Sequence, residues 1–178
     1  MGKRVVTGHN SDGKAVFVSE HAVDPVTPSL MPGYEFRVLW GGDGPPDFPD
    51  NGARPDAPAY FPSVGGFRFM TVTFPPAAEA AQREADFEAT LAEADTLLPG
   101  MAAPMELDVP GMHTSATIDY DYLVSGRLVL ELDDGERIEL EAGDCVIQNG
   151  TRHRWHNPYD EPAVMVVTLI GANHRAVP

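Results

Sequence analysis

The sequence predicts an all-β domain, a sandwich or barrel of short antiparallel strands with one peripheral helix. Two observations carry that expectation. From Ser115 onward, apolar and polar residues alternate in short runs separated by tight turns. Glycine and proline number 17 each and are scattered along the chain rather than clustered, which suits many turns better than a helical bundle.

The elements follow in order. Val5-Val6-Thr7 and Ala15-Val16-Phe17-Val18 flank Asn10-Ser11-Asp12-Gly13, residues suited to a hairpin turn. Tyr34 to Trp40 reads as a strand closed by Gly41-Gly42. Residues 43–65 are rich in Pro, Gly, Asp and Asn and read as a long surface loop, a candidate lid. Phe67 to Phe74, aromatic and β-branched, is the next strand. Pro75-Pro76 opens an Ala- and Glu-rich helix from about 77 to 98, stopped by Pro99-Gly100. Its Glu79, Glu84, Glu88 and Glu93 read as a solvated face. Leu128, Leu130 and Leu132 alternate with Val129 and Glu131, then Asp134-Gly135 turns the chain into Arg137 to Glu141. Gly143-Asp144 and Asn149-Gly150 turn it twice more, and Ala163 to Ile170 is a continuous apolar strand. A single domain, 1–178, accounts for this length, with strands, loop and helix in 1–110 and the barrel core in 111–171.

Composition narrows the function classes. The formal charge is −15, from 27 acids against 12 bases, so nucleic-acid backbones and anionic lipid would be repelled. Residues 1–110 show neither basic clusters nor a helix-turn-helix pattern, which counts against transcriptional control. Cys145 stands alone, so no internal disulfide or thiolate cluster can form, and its apolar neighbours Val146 and Ile147 mark it as a small core residue. No signal-peptide pattern opens the sequence, and no apolar run approaches the ~20 residues of a membrane span. The cytoplasm is the expected address. The N-terminal hairpin and the strand at 34–40 are expected to complete the barrel or pair with a neighbour's sheet, as in a homodimer.

The stretch 111–171 resembles the cupin superfamily, whose jelly-roll barrels carry two signatures. The first, G-x5-H-x-H-x3,4-E-x6-G, is matched by His113-Thr114-Ser115, then Asp119, then Gly126. The second, G-x5-P-x-G-x2-H-x3-N, is matched by Gly143, Gly150, His153 and Asn157. Four departures stand out. Ser115 replaces the second histidine, removing one of the four metal ligands usual in the family, and Asp119 replaces glutamate. The glycine expected five residues before His113 is missing, and the second signature is one residue short, with Gln148 where proline is common.

If no bulge intervenes, His113, Ser115 and Asp119 share one strand face, and His153 and Trp155 share another. The resemblance implies that these faces meet inside the barrel. Two imidazoles and a carboxylate then form a set, His113, Asp119 and His153, that can bind Fe, Mn, Zn or Ni and leave open positions. Asp119 could fall short of the metal. In a metal-free pocket, His113, His153 and Asp119 would act as proton donors and acceptors. Ser115, Gln148 and Trp155 are expected to contact substrate, and Asn157 to hold a turn. His156 has the opposite parity from His153 and should face outward, and Tyr120 and Asp121 are ambiguous because one bulge exchanges their faces. Three functions fit such a site: a lyase or isomerase of dehydratase type, as in small cupins of secondary metabolism; an Fe(II) dioxygenase; and a ligand-binding cup without catalysis.

Overall fold

A computed structural model describes residues 2–76, 78 and 87–175. It contains strands β1 (Lys3–His9), β2 (Ala15–Ala22), β3 (Glu35–Gly42), β4 (Phe67–Phe74) and β5 (Thr117–Ser125). Strands β6 (Arg127–Glu131), β7 (Arg137–Glu141), β8 (Cys145–Asn149), β9 (Arg154–His156) and β10 (Ala163–Gly171) follow, with an α-helix, α1 (Phe87–Leu97), ahead of β5. The all-β expectation and the peripheral helix hold. Of the predicted helix from 77 to 98, the described part is α1 and Ala78; residue 77 and residues 79–86, with Glu79 and Glu84, lie outside the described residues.

Two sheets enclose the core. The larger has the order β3-β4-β10-β5-β8, and the smaller β7-β6-β9. The last strand, β10, thus enters the middle of the larger sheet and pairs antiparallel with β4 and β5. Its burial alternates strictly, with Ala163, Met165, Val167 and Leu169 buried. Those residues join Met70 and Val72 of β4 and Leu128, Leu130 and Leu140 of the smaller sheet in one apolar cluster. The hairpin β1–β2 forms its own two-stranded sheet.

Gly126, the glycine ending the first signature, sits at φ +77° where β5 turns into β6. A Cβ there would lie 2.5 Å from the Pro162 carbonyl oxygen, so the turn needs glycine both for its left-handed backbone and for the close approach.

Two expectations are corrected. Cys145 is exposed, because β8 is an edge strand whose alternation turns Val146 and Gln148 inward and Cys145 and Ile147 outward. Glu93 is no idle surface carboxylate. It accepts hydrogen bonds from Ser29 N (2.9 Å), Ser29 Oγ (2.6 Å) and Leu30 N (2.7 Å), and so ties α1 to the segment before β3.

The loop from 43 to 65 is pinned by Arg68, a 1% exposed residue on the inner face of β4. Its Nε donates to Ala59 O (2.7 Å), and one terminal nitrogen donates to Gly42 O (3.0 Å) and Phe67 O (2.8 Å). The other pairs with Asp43 at 2.7 Å. Truncation would leave three carbonyls and a carboxylate short of partners. Arg68→Ala is therefore expected to cost about 3–5 kcal/mol in urea unfolding. A loss below about 1 kcal/mol would show that the loop holds without this pin.

Candidate functional site

Inside the barrel lies a cavity of about 120 Å³. His113, Asp119, Asp121, His153 and Tyr60 give its wall a polar end, and apolar residues such as Phe36, Phe74, Leu91 and Met101 supply the remainder. Strand parity explains which side chains of β5 face inward. Thr117, Asp119, Asp121 and Leu123 are buried, while Tyr120, Tyr122 and Val124 are exposed. That alternation settles Asp121 as an interior residue.

The two histidines stand just outside regular strands. Their backbones exchange both hydrogen bonds, His113 N to His153 O at 3.0 Å and His153 N to His113 O at 2.9 Å. This bridge brings the rings to 4.2 Å between centroids. Each Nδ1 lies beside a carbonyl two residues back, Gly111 O for His113 (3.1 Å) and Thr151 O for His153 (2.9 Å). A carbonyl only accepts, so Nδ1 carries the proton in both rings and Nε2 carries the lone pair. Burial lowers the pKa of His113, and burial together with His113 pushes His153 down to about 3. Both imidazoles are neutral near pH 7.

The carboxyls shift the other way. Asp119 is 5% exposed, and its Oδ1 is buried with no hydrogen-bond partner. Burial raises its pKa to about 6, against a smaller opposing effect of the Thr117 hydroxyl. Burial and the neighbouring Asp119 raise Asp121 to about 8. The Tyr60 phenol, delivered by the long loop, is pushed up by burial and by both carboxyls. Desolvation dominates in each case.

The other expected site residues divide. Trp155 lines the cavity, edge-on to His153 at 6.1 Å. Ser115 and Gln148 do not. The Ser115 hydroxyl bonds Thr117 Oγ1 at 2.8 Å, and the Gln148 amide turns to Thr151, the residue whose carbonyl holds His153. Both support the site from behind. Asn157 holds a turn, donating to Glu161 O (2.8 Å) and Phe74 O (3.2 Å) and accepting from Tyr159 N (3.1 Å). His156 is half-buried and contacts Glu131, which Arg154, His156 and Arg137 hold down to about 2. Asp121 and Tyr60 join the site without being singled out by the signatures.

Among the described residues, no three His, Cys, Asp or Glu side chains stand where together they could hold a metal ion. His113, Asp119 and His153 share the cavity wall, but they are not assembled as a ligating triad. The histidines sit on irregular segments ahead of β5 and β9, joined by an isolated bridge. Nor is any helix of the described residues long and apolar enough to cross a membrane.

The raised carboxyl pKa values have a consequence for stability. A group whose folded pKa is raised contributes stability that is complete below its unfolded pKa, near 4, and lost as pH climbs through the folded value. For Asp121 the loss runs from about pH 4 to about pH 8. Asp121→Asn carries no ionisation there. It is expected to gain about 4 kcal/mol on wild type between pH 5 and pH 8.5 in chemical denaturation. A difference between the two proteins that stays constant with pH would show that Asp121 is not desolvated.

Comparison with known proteins fits this picture. Residues 103–169 match the family model described as Cupin domain. The oryzines biosynthesis cluster protein J of Aspergillus oryzae is 34% identical over 67 residues, 35% of this chain and 37% of that protein. The phomopsin biosynthesis cluster protein C′ of Diaporthe leptostromiformis is 42% identical over 65 residues, 34% of each. The cupin-domain-containing oxidoreductase srdD of Neurospora crassa is 37% identical over 59 residues, 33% of this chain and 26% of that protein. The matched segment thus spans about a third or less of these relatives. A Cupin 2 conserved barrel domain protein from Salinispora arenicola superposes with a TM-score of 0.44 at 18% identity, covering 85% of this chain and 89% of that one. The signatures at His113 and His153 lie inside the segment, residues 103–169, that is similar to a cupin domain.

Proposed function

We propose that this protein is a small-molecule enzyme of the lyase or isomerase class, acting by acid–base chemistry on a metabolite held in the cavity. The observation that carries this reading is the pair Asp119 and Asp121, side by side on the inner face of β5 with pKa values pushed apart to about 6 and about 8. Between those values one carboxyl is a base and the other still an acid, the division of labour a proton-transfer enzyme needs. Similarity to proteins named for fungal biosynthesis clusters supports a role in secondary metabolism.

The magnitudes assign the roles. An imidazole pushed to about 3, as His153 is, is a weak base at pH 7. Asp119, with an unpaired Oδ1, is the better acceptor for a proton next to a substrate carbonyl. As that C–H bond breaks, its electron pair forms the carbon–carbon double bond, and a hydroxyl on the adjoining carbon departs with the proton of Asp121 as water. The Nε2 lone pairs of His113 and His153 accept hydrogen bonds from substrate hydroxyls and orient them. The Tyr60 phenol, kept protonated, is a donor for the enolate oxygen.

A second reading is favoured by one observation: several relatives are named cupin-domain-containing oxidoreductases. An assay decides between the two. Purified protein, treated with chelator and held under nitrogen, is offered β-hydroxy carbonyl compounds, and formation of the conjugated product is followed by absorbance. Turnover is expected to persist, with a bell-shaped pH profile whose limbs fall near 6 and 8 and belong to the carboxyl pair. Asp121→Asn should erase the alkaline limb and lower kcat by about 10²–10⁴-fold, and Asp119→Asn should be comparably impaired. Oxygen uptake that requires added iron, with no anaerobic turnover, would replace this proposal with the oxidoreductase reading.

A further inference from the structure

We infer that the cavity selects an uncharged, single-ring compound bearing hydroxyl groups and rejects carboxylated or phosphorylated forms of the same ring. The inference rests on this cavity being the substrate site proposed above, and it adds the chemical class of the substrate.

Three features point to it. The first is size: the volume is about 120 Å³, close to the roughly 150 Å³ of an engineered apolar cavity that takes benzene. A single ring matches that volume. The second is the wall. Phe36, Phe74, Leu91, Met101 and Trp155 present flat or aliphatic surface, which favours a ring over a flexible polar chain.

The third is the polarity of the lining. Asp119 Oδ1 is buried without a partner, and the Nε2 atoms of His113 and His153 are acceptors because their Nδ1 protons are committed to Gly111 O and Thr151 O. The polar end thus sets three acceptors against two donors, the Tyr60 phenol and the Asp121 carboxyl, and the surplus calls for a ligand that brings donors. No lysine or arginine is among the described residues of the lining. Arg68, the inward-facing base of β4, spends its donors on Ala59, Gly42, Phe67 and Asp43 instead. An anionic substituent would lose its hydration and meet mainly acceptors, with no cation among the described residues of the lining to compensate. Hydroxyls on a neutral ring satisfy Oδ1 and the imidazoles without that cost.

The test is binding, measured by ligand-observed NMR and calorimetry on the full chain with catechol and hydroquinone as probes. Comparators are 1,2-dimethoxybenzene, benzoate, phenyl phosphate and benzylamine. Catechol is expected to bind at least about tenfold tighter than its dimethyl ether, which keeps the ring but has no donors. Benzoate and phenyl phosphate should show no saturable binding. Asp119→Asn, which trades an acceptor oxygen for a donor, should remove most of the preference for catechol. Met105→Trp, at a half-buried position of the wall, and Leu91→Phe should each weaken catechol binding while circular dichroism stays native. The inference is overturned if benzoate matches catechol, if the dimethyl ether matches it, or if benzylamine binds tightest. Catechol binding unchanged in both cavity-filling variants would overturn it as well. Selective binding with no turnover of any hydroxylated ring would leave it standing and remove the enzyme reading. Turnover of a carboxylated substrate would do the reverse.

Discussion

The register of β10 between β4 and β5 decides what surrounds the buried carboxyls Asp119 and Asp121. Val167 lies between Met70 and Asp121, and Leu169 lies between Arg68 and Asp119. On its far side β5 pairs with β8, where Asp119 meets Gln148 and Asp121 meets Val146. Each carboxyl therefore has a branched apolar residue as its neighbour on the central strand. Arg68 shares a row with Asp119 but stands two strands away, roughly 10 Å at ordinary strand spacing. Its donors are already engaged, so it does not compensate the carboxylate. Desolvation wins over charge pairing, and both pKa values rise. A slip of one residue in this register would turn Asp119 and Asp121 out of the cavity.

The same closure acts on the histidines with the opposite sign. Burial disfavours the charged form of any group, so it lowers imidazoles as it raises carboxyls. Near pH 7 the imidazoles are neutral and Asp121 keeps its proton, so Asp119 is the ionised group among these four, inside a chain whose formal charge is −15. The reciprocal backbone bonds of His113 and His153 fix the rings where this balance is struck. Gln148 and Ser115 assist from behind, one beside the Thr151 carbonyl and the other beside Thr117, whose hydroxyl reaches Asp119.

Strand identity was legible in the sequence wherever period-two alternation met strong turn residues. Phe67–Phe74 and the run from Arg127 to Glu141 are the clearest cases. His153 was legible because the spacing Gly150, His153, Asn157 marks a turn, one that the hydrogen bonds of Asn157 hold. Cys145 misled because apolar neighbours signal burial only on an interior strand, and edge position is a property of topology. Gln148 misled for a related reason. It is buried and inward in parity, yet its amide is nearer to Thr151 than to the cavity. Asp121 stayed ambiguous because one bulge reverses parity, and only the ladder with β10 and β8 fixes it. Tyr60 reaches the site through loop anchoring by Arg68, which no periodicity encodes.

The departures from the family signatures gain a common physical sense from this geometry. Replacing the second histidine by Ser115 removes a ligand and adds a hydroxyl that joins Thr117 and Asp119 in a short chain. Shortening glutamate to Asp119 draws the carboxylate back toward β5, where its Oδ1 is left unpartnered. A carboxylate without a partner in an apolar setting is costly as an anion and competent as a base. Asp121, one inward position further along, then meets that charge and keeps its proton. The two departures thus take one imidazole from the family's usual ligand set and leave two buried carboxyls on one strand, in a cavity wall shared with His113 and His153.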